Sequence, residues 1–280
     1  MNKHILLVCT LFPLSGLAQS EAPEAAQYIE VGTFEASLTV GYGGIENPVR
    51  GAENITSVIL PHLAYYGENW YFDDFSLGYS LYQDQSFYLD VVGTFNEDGF
   101  FFELDGIDKL FAINAVRDLE RPGRPQATPI YLTPINRSIS YEAGLTLGYA
   151  GKNWGAELTT LHDITSVHNG HENKLATYYA NTFFGGQFVA EVGATHKNSE
   201  LVEYYYRVHP TESIARIPPY SMGGSAVNYH VKLEYTYPLS EHFSAMLSIS
   251  NTWIDKDLSD TPMFDTDRYV TGFSGITFEF

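Results

Sequence analysis

The final stretch, residues 270–280, constrains the fold more tightly than any other part of the chain. Val270, Gly272, Ser274, Ile276, Phe278 and Phe280 fall on one face, and Thr271, Gly275, Thr277 and Glu279 on the other. A repeat of two marks a β-strand, whose successive side chains point to opposite sides. The alternation returns in Phe34, Ala36, Leu38, Val40 and Tyr42 against Glu35, Ser37, Thr39 and Gly41, and in Tyr141, Ala143, Leu145, Leu147 and Tyr149 against Glu142, Gly144, Thr146 and Gly148. Val231, Leu233, Tyr235 and Tyr237 alternate with Lys232, Glu234 and Thr236, and Phe243, Ala245, Leu247 and Ile249 with Ser244, Met246, Ser248 and Ser250. Such runs have about the nine to eleven residues that a tilted strand needs to cross a bilayer.

An edge strand of a soluble sandwich would alternate in the same way, so the placement of aromatics decides. Tyr42, Tyr65, Tyr66, Trp70, Tyr149, Trp154, Tyr237, Phe243 and Trp253 gather at strand ends. A soluble core explains their number but not this bias, whereas membrane interfaces hold amphipathic rings at the ends of spanning strands. With 21 tyrosines and 18 phenylalanines but a mean hydropathy of −0.15, the chain has one apolar and one polar side to its strands. The expected fold is all-β, a transmembrane antiparallel up-and-down β-barrel. Phe280, an aromatic in the last position, resembles the assembly signal of outer-membrane barrels.

The connections alternate in length. Those at 67–69, 83–85, 151–153, 185–186 and 239–242 are short and read as periplasmic turns. Those at 43–55, 96–138, 163–173, 197–226 and 254–268 are long and are expected to face outward. Two short turns, at 67–69 and 83–85, follow one another, which would give an odd number of strands. An even count with both ends periplasmic needs one more hairpin near Asp73 and Asp74, giving twelve strands. The segment from Trp70 to Phe72 is short for a full crossing, so ten strands is the alternative.

At the other end, Lys3 precedes the apolar run from Ile5 to Leu14, and Gly16 and Ala18 are small residues before a cleavage point. These features predict a signal peptide over 1–18, a periplasmic tail over 19–32 and a barrel over 33–280. The run is too short for a membrane helix of about 20 residues. Leu6-Leu7-Val8-Cys9 loosely resembles a lipidation box, but Val8 is bulky where a small residue is required. Cys9 is the sole cysteine and leaves with the leader, which excludes disulfides, catalytic thiols and cysteine-held zinc from the exported protein. Loss of Lys3, the leader's one formal charge, takes the net charge from −19 to −20. That balance repels nucleic-acid phosphates, so nucleic acid is excluded as a partner.

Three constellations invite chemistry. His162, Asp163, His168, His171 and Glu172 offer imidazoles and carboxylates for a divalent metal, but in no standard zinc spacing; such a pair in an outer loop is more often a solvated, hydrogen-bonding surface. Ser166 beside His162 or His168 has the residue types of a nucleophile and its base, without the Gly-x-Ser-x-Gly elbow. Asp255, Asp257, Asp260, Asp265 and Asp267 form an acidic run that could bridge Ca²⁺ or Mg²⁺ to lipopolysaccharide phosphates, again outside any EF-hand spacing. No cofactor is expected, and the chain does not read as an enzyme.

Several blocks in fixed order carry a family likeness: Val40-Gly41-Tyr42-Gly43-Gly44, Phe75-Ser76-Leu77-Gly78-Tyr79-Ser80-Leu81, Leu104-Asp105-Gly106-Ile107-Asp108, Asp163-Ile164-Thr165-Ser166-Val167-His168-Asn169-Gly170, Tyr204-Tyr205-Tyr206-Arg207-Val208-His209-Pro210 and Asp260-Thr261-Pro262. Through them the chain resembles the MipA/OmpV family of outer-membrane proteins over its mature length. It departs from the family at 111–138, which is longer and richer in arginine and proline. The resemblance implies a barrel that scaffolds murein-remodelling enzymes, joining a periplasmic lytic transglycosylase to a murein synthase. Other members are associated with osmotic response, adhesion or antibiotic entry. It implies no catalytic residues.

Two functions follow as expectations. One is a scaffold in the cell envelope, in contact with outer-membrane lipid and lipopolysaccharide. The other is a narrow channel for small solutes, whose candidate lumen-lining residues Glu142, Glu157, Glu191, Lys232 and Glu234 would favour cations.

Overall fold

The computed structural model describes residues 4–7, 27–50, 52, 54–102, 135, 137–212 and 219–280. Most of the expected leader and tail lies outside the described residues. Within it, His4–Leu7 and Gln27–Glu30 pair as a separate antiparallel ribbon. The long segment 103–134 also lies outside them, and with it most of the departure from the family pattern.

Twelve antiparallel strands close into one barrel. They are β1 (Thr33–Ile45), β2 (Ile55–Tyr66), β3 (Trp70–Asp73), β4 (Ser76–Gln83), β5 (Phe87–Phe95) and β6 (Tyr141–Ala150). The ring continues with β7 (Trp154–Asp163), β8 (His171–Phe183), β9 (Gly186–Lys197), β10 (Ala226–Pro238), β11 (Phe243–Trp253) and β12 (Arg268–Glu279). Each strand pairs with its sequence neighbours, and β12 returns to β1 with Glu279 opposite Ser37 and Thr271 opposite Ile45. The count is twelve, not ten, because the chain reverses at Asp74, a residue at φ 51°. β3 has four residues and pairs with β2 only through Ala64, Tyr65 and Tyr66.

The outward face is apolar along its middle, with Val91, Leu145, Leu147, Leu158, Leu175, Val192, Leu233 and Leu247 all exposed. Rings stack where the turns are short: Tyr65 on Trp70, Phe87 on Tyr149, Tyr149 on Trp154 and Phe243 on Phe278, with centroids 4.8–5.1 Å apart. Phe280 stacks on Phe278 and is itself 81% exposed. On the inward face, tyrosine rings lie over glycines of the next strand. A Cβ on Gly78 would meet the Tyr71 ring at 1.9 Å, and one on Gly148 the Tyr88 ring at 1.9 Å. Only glycine leaves room for these rings to lie flat along the wall.

Leu145→Arg places a cation in the middle of the apolar band and is expected to lower stability by about 2–4 kcal/mol. Urea unfolding in lipid vesicles measures the loss; an unchanged midpoint would put Leu145 away from lipid.

Candidate functional site

The largest packed core lies beyond the strands, where the long loops meet. After β9, Asn198 accepts a hydrogen bond from the Leu201 amide and starts a short helix, α1 (Ser199–Tyr206). Its Leu201, Val202, Tyr205 and Tyr206 fall on one helical face and are buried. They pack with Val208 of the same loop and with Val49, Phe101, Ile135, Ile254, Leu258, Met263 and Phe264 of three other long loops. Leu258 lies in α2 (Lys256–Ser259), capped by Asp255, whose other carboxylate oxygen accepts from the Val227 amide. Phe102 stacks on Tyr205 at 6.0 Å and Tyr206 packs on Phe264 at 5.1 Å. The result is an apolar cap across the long-loop end of the barrel.

A polar layer ties this cap to the strand ends. Lys197 at the end of β9 pairs with Asp98, both side chains buried. Lys174 lies 3.2 Å from Glu97 and 2.9 Å from Glu172, and its cation holds the Glu97 carboxyl below the usual carboxylate range. Arg137 donates twice to Glu212, at 2.7 and 3.1 Å, and once to the Arg207 carbonyl. Burial works to raise the Glu212 pKa, but the bonds from Arg137 and from the His209 amide outweigh it and hold the group low. Asp163 closes the 164–170 loop by accepting from the amides of Thr165, His168 and Asn169.

His168 sits inside this layer with a fixed tautomer. Its Nδ1 accepts from the Gly170 amide at 2.9 Å, so the assigned proton lies on Nε2, which is 2.9 Å from Ser140 Oγ and 3.2 Å from Glu142 Oε1. Ser140 is 3.3 Å from the Tyr205 hydroxyl, which donates to the Ser138 carbonyl. Donation thus runs from His168 through Ser140 to Tyr205. A histidine acting as base would need a lone pair facing the serine, and here a proton faces it. Ser140, His168 and Glu142 form a buried strut between β6 and α1.

The candidate lumen residues have local partners. Glu142 is fully buried beneath the cap. Glu157 accepts from Thr159 at 3.3 Å, Glu191 meets His230 at 2.8 Å, and Lys232 meets Glu234 at 3.0 Å. The clusters singled out for chemistry do not converge. His162 and His171 are opposite one another on adjacent strands and exposed, while Asp163, His168 and Glu172 are buried on the inward side. Ser166 is exposed in a turn at φ 60°. Asp255 is used as a helix cap and Asp265 pairs with Arg50 at 2.8 Å. The cap itself was missed from sequence, although Leu201, Val202, Tyr205 and Tyr206 carry a helical spacing that signals it.

A closed barrel with an apolar outer band, stacked rings at one rim and loops packed over the other is an outer-membrane β-barrel. The family described as MltA-interacting protein MipA matches residues 38–280, and the chain belongs to that family. A relative in Escherichia coli K12, named outer membrane protein YiaT, is 23% identical over 284 residues, covering 100% of this chain and 99% of its own. Outer membrane protein Omp26La of Vibrio anguillarum is 20% identical over 112 residues, 40% of this chain and 43% of its own. Among solved structures, an outer membrane channel from Pseudomonas putida F1 aligns at a TM-score of 0.36 and 9% identity, covering 90% of this chain and 97% of that one.

Lys197→Met leaves Asp98 buried without its cation and is expected to destabilise the cap by about 3–5 kcal/mol, whereas Lys197→Met with Asp98→Leu recovers most of that loss. Hydrogen exchange over 198–212 reads both. The Glu212 anchor contributes stability above the ordinary glutamate pKa of about 4.3 and loses it as pH falls through the lowered folded value. Protection from exchange near Arg207–Glu212, taken relative to the intrinsic rate at each pH, is therefore expected to fall in acid in the parent protein, and to be low and flat in Glu212→Gln.

Proposed function

We propose that the protein is an interaction barrel of the outer membrane, a scaffold for murein-remodelling enzymes, and neither an enzyme nor an open conduit. The observation that carries this reading is the cap: four long loops share one buried apolar cluster at the end where a solute would enter. Open channels keep a hydrated constriction lined by charges, whereas a dry side-chain core passes neither ions nor water. The family description, MltA-interacting protein, supports the same reading and points to a lytic transglycosylase as one partner. A murein synthase is the second partner in this proposal, with outer-membrane lipid and lipopolysaccharide around the barrel.

A partner in the periplasm would meet the short turns and the tail 19–32, which holds Glu21, Glu24 and Glu30. The channel reading keeps one argument, the inward charges Glu157, Glu191, Lys232 and Glu234, which suit a hydrated, cation-preferring interior once the cap opens.

Planar-bilayer recording separates the two. The purified, refolded protein is expected to be silent, and Leu201→Asp, which puts a charge into the cap core, to conduct with cation preference. Steady steps from the parent protein would overturn the scaffold reading. Charge reversal at Glu21, Glu24 and Glu30 is expected to weaken capture of a purified lytic transglycosylase about tenfold, a loss of about 1.4 kcal/mol.

A further inference from the structure

The short β3 leaves a gap in the strand ladder, and polar side chains gather at it. β3 and β4 turn back at Asp74, so β2 runs on from Leu63 to Ile55 without a strand partner on that side among the described residues. Part of this edge is satisfied in other ways. Asp74 donates its amide to the Leu63 carbonyl, and its carboxylate accepts from the Leu63 amide at 3.0 Å. Two residues on, Pro61 has no N–H to satisfy, and Ile59 bonds through both amide and carbonyl to the Ser57 hydroxyl.

This local capping brings three ligand-type side chains together. His62 Nδ1 stands 3.2 Å from Asp74 Oδ1 and 3.7 Å from Asp73 Oδ1, and one ligand atom from each of the three residues lies within 4.8 Å of the other two. Two donors at about 2.1 Å from a tetrahedral ion are separated by roughly 3.4 Å, which these distances bracket. The His62 side chain is 10% exposed; its Nδ1 faces the two aspartate oxygens, and its Nε2 is enclosed without a hydrogen-bond partner. A buried ring nitrogen without a bond needs an explanation. The carboxylates are held from behind: Tyr66, fully buried, donates to Asp73 Oδ2 at 3.3 Å, and Leu63 holds Asp74. Glu35, opposite Ala64 on β1, has a buried carboxylate oxygen without a partner and supplies further negative charge on the same inward side.

We propose that His62, Asp73 and Asp74 bind a divalent transition-metal ion of the Zn²⁺ type on the inner wall of the barrel, joining β2 to the β3–β4 hairpin where the ladder stops. One imidazole and two carboxylates suit Zn²⁺ or Co²⁺, because an imidazole nitrogen is a poor ligand for the hard, oxygen-preferring Ca²⁺ and Mg²⁺. Three protein ligands leave one position for water from the lumen.

The test uses the untagged, full-length refolded barrel and Zn²⁺ or Co²⁺ alone. Titration calorimetry is expected to show one Zn²⁺ site, and Co²⁺ to give the visible absorption of a low-coordinate ion. His62→Ala is expected to abolish both signals. Asp74→Asn keeps the acceptor for the Leu63 amide and tolerates the positive φ, so its barrel folds; its Zn²⁺ affinity is expected to fall about tenfold or more. His171→Ala, at the exposed histidine that opens β8, leaves binding unchanged. Heat-modifiable gel mobility verifies that each variant is folded. Binding that survives in folded His62→Ala and Asp74→Asn, or is lost in His171→Ala, overturns the proposal, as does a parent protein that binds no Zn²⁺.

Discussion

Inside a hydrocarbon layer no water is available to a backbone amide, so every N–H and C=O of a crossing strand must find a partner in the protein. A sheet meets that requirement only by closing on itself, and the β12–β1 pairing from Thr271 opposite Ile45 to Glu279 opposite Ser37 is what closes this one. The rest follows from that seam. Once the wall is closed, period-two alternation sorts Leu145 and Leu147 to lipid and Thr146 and Gly148 inward. The wall is then tightened by tyrosines that lie over glycines instead of pointing across the lumen.

The same requirement explains the irregular hairpin. A four-residue β3 cannot satisfy the whole edge of β2, and the sequence answers with an aspartate at the turn, a proline that has no N–H, and a serine that bonds back to its own strand. These are side-chain substitutes for a missing neighbour. They also explain why charge collects there: an aspartate that caps β2 from the turn has to stand beside His62, whose side chain points inward from the adjoining position.

The barrel was legible because lipid on one side imposes a strict repeat, and a strict repeat survives in sequence. Twelve strands were legible by parity, from the two consecutive short turns and the Asp73-Asp74 pair. The cap was not. Its residues are spread over loops separated by up to some 200 positions, with Val49 meeting Phe264 and Arg137 meeting Glu212, and no local pattern announces such meetings. The tempting run from His162 to Glu172 failed for the opposite reason. Proximity in sequence ignored the pleat, which sends His162 and His171 outward and Asp163 and Glu172 inward.

The two rims obey different solvents. At the short-turn rim, rings such as Trp70 and Trp154 stand exposed in pairs, since a headgroup layer accepts both the ring and its N–H. At the long-loop rim water is the solvent, and apolar side chains gain by gathering into one cluster, as Leu201, Tyr205, Leu258 and Met263 do. Charge lies between these regimes, in the layer of Lys174, Lys197, Glu97 and Asp98, where each ion has an opposite partner at the strand ends. Pairing offsets part of the cost of burying these charges, and the layer fixes where the loops land, because moving the cap would strand a buried charge. An apolar cap alone could slide over the mouth; the ion pairs beneath it hold it in register with the strands.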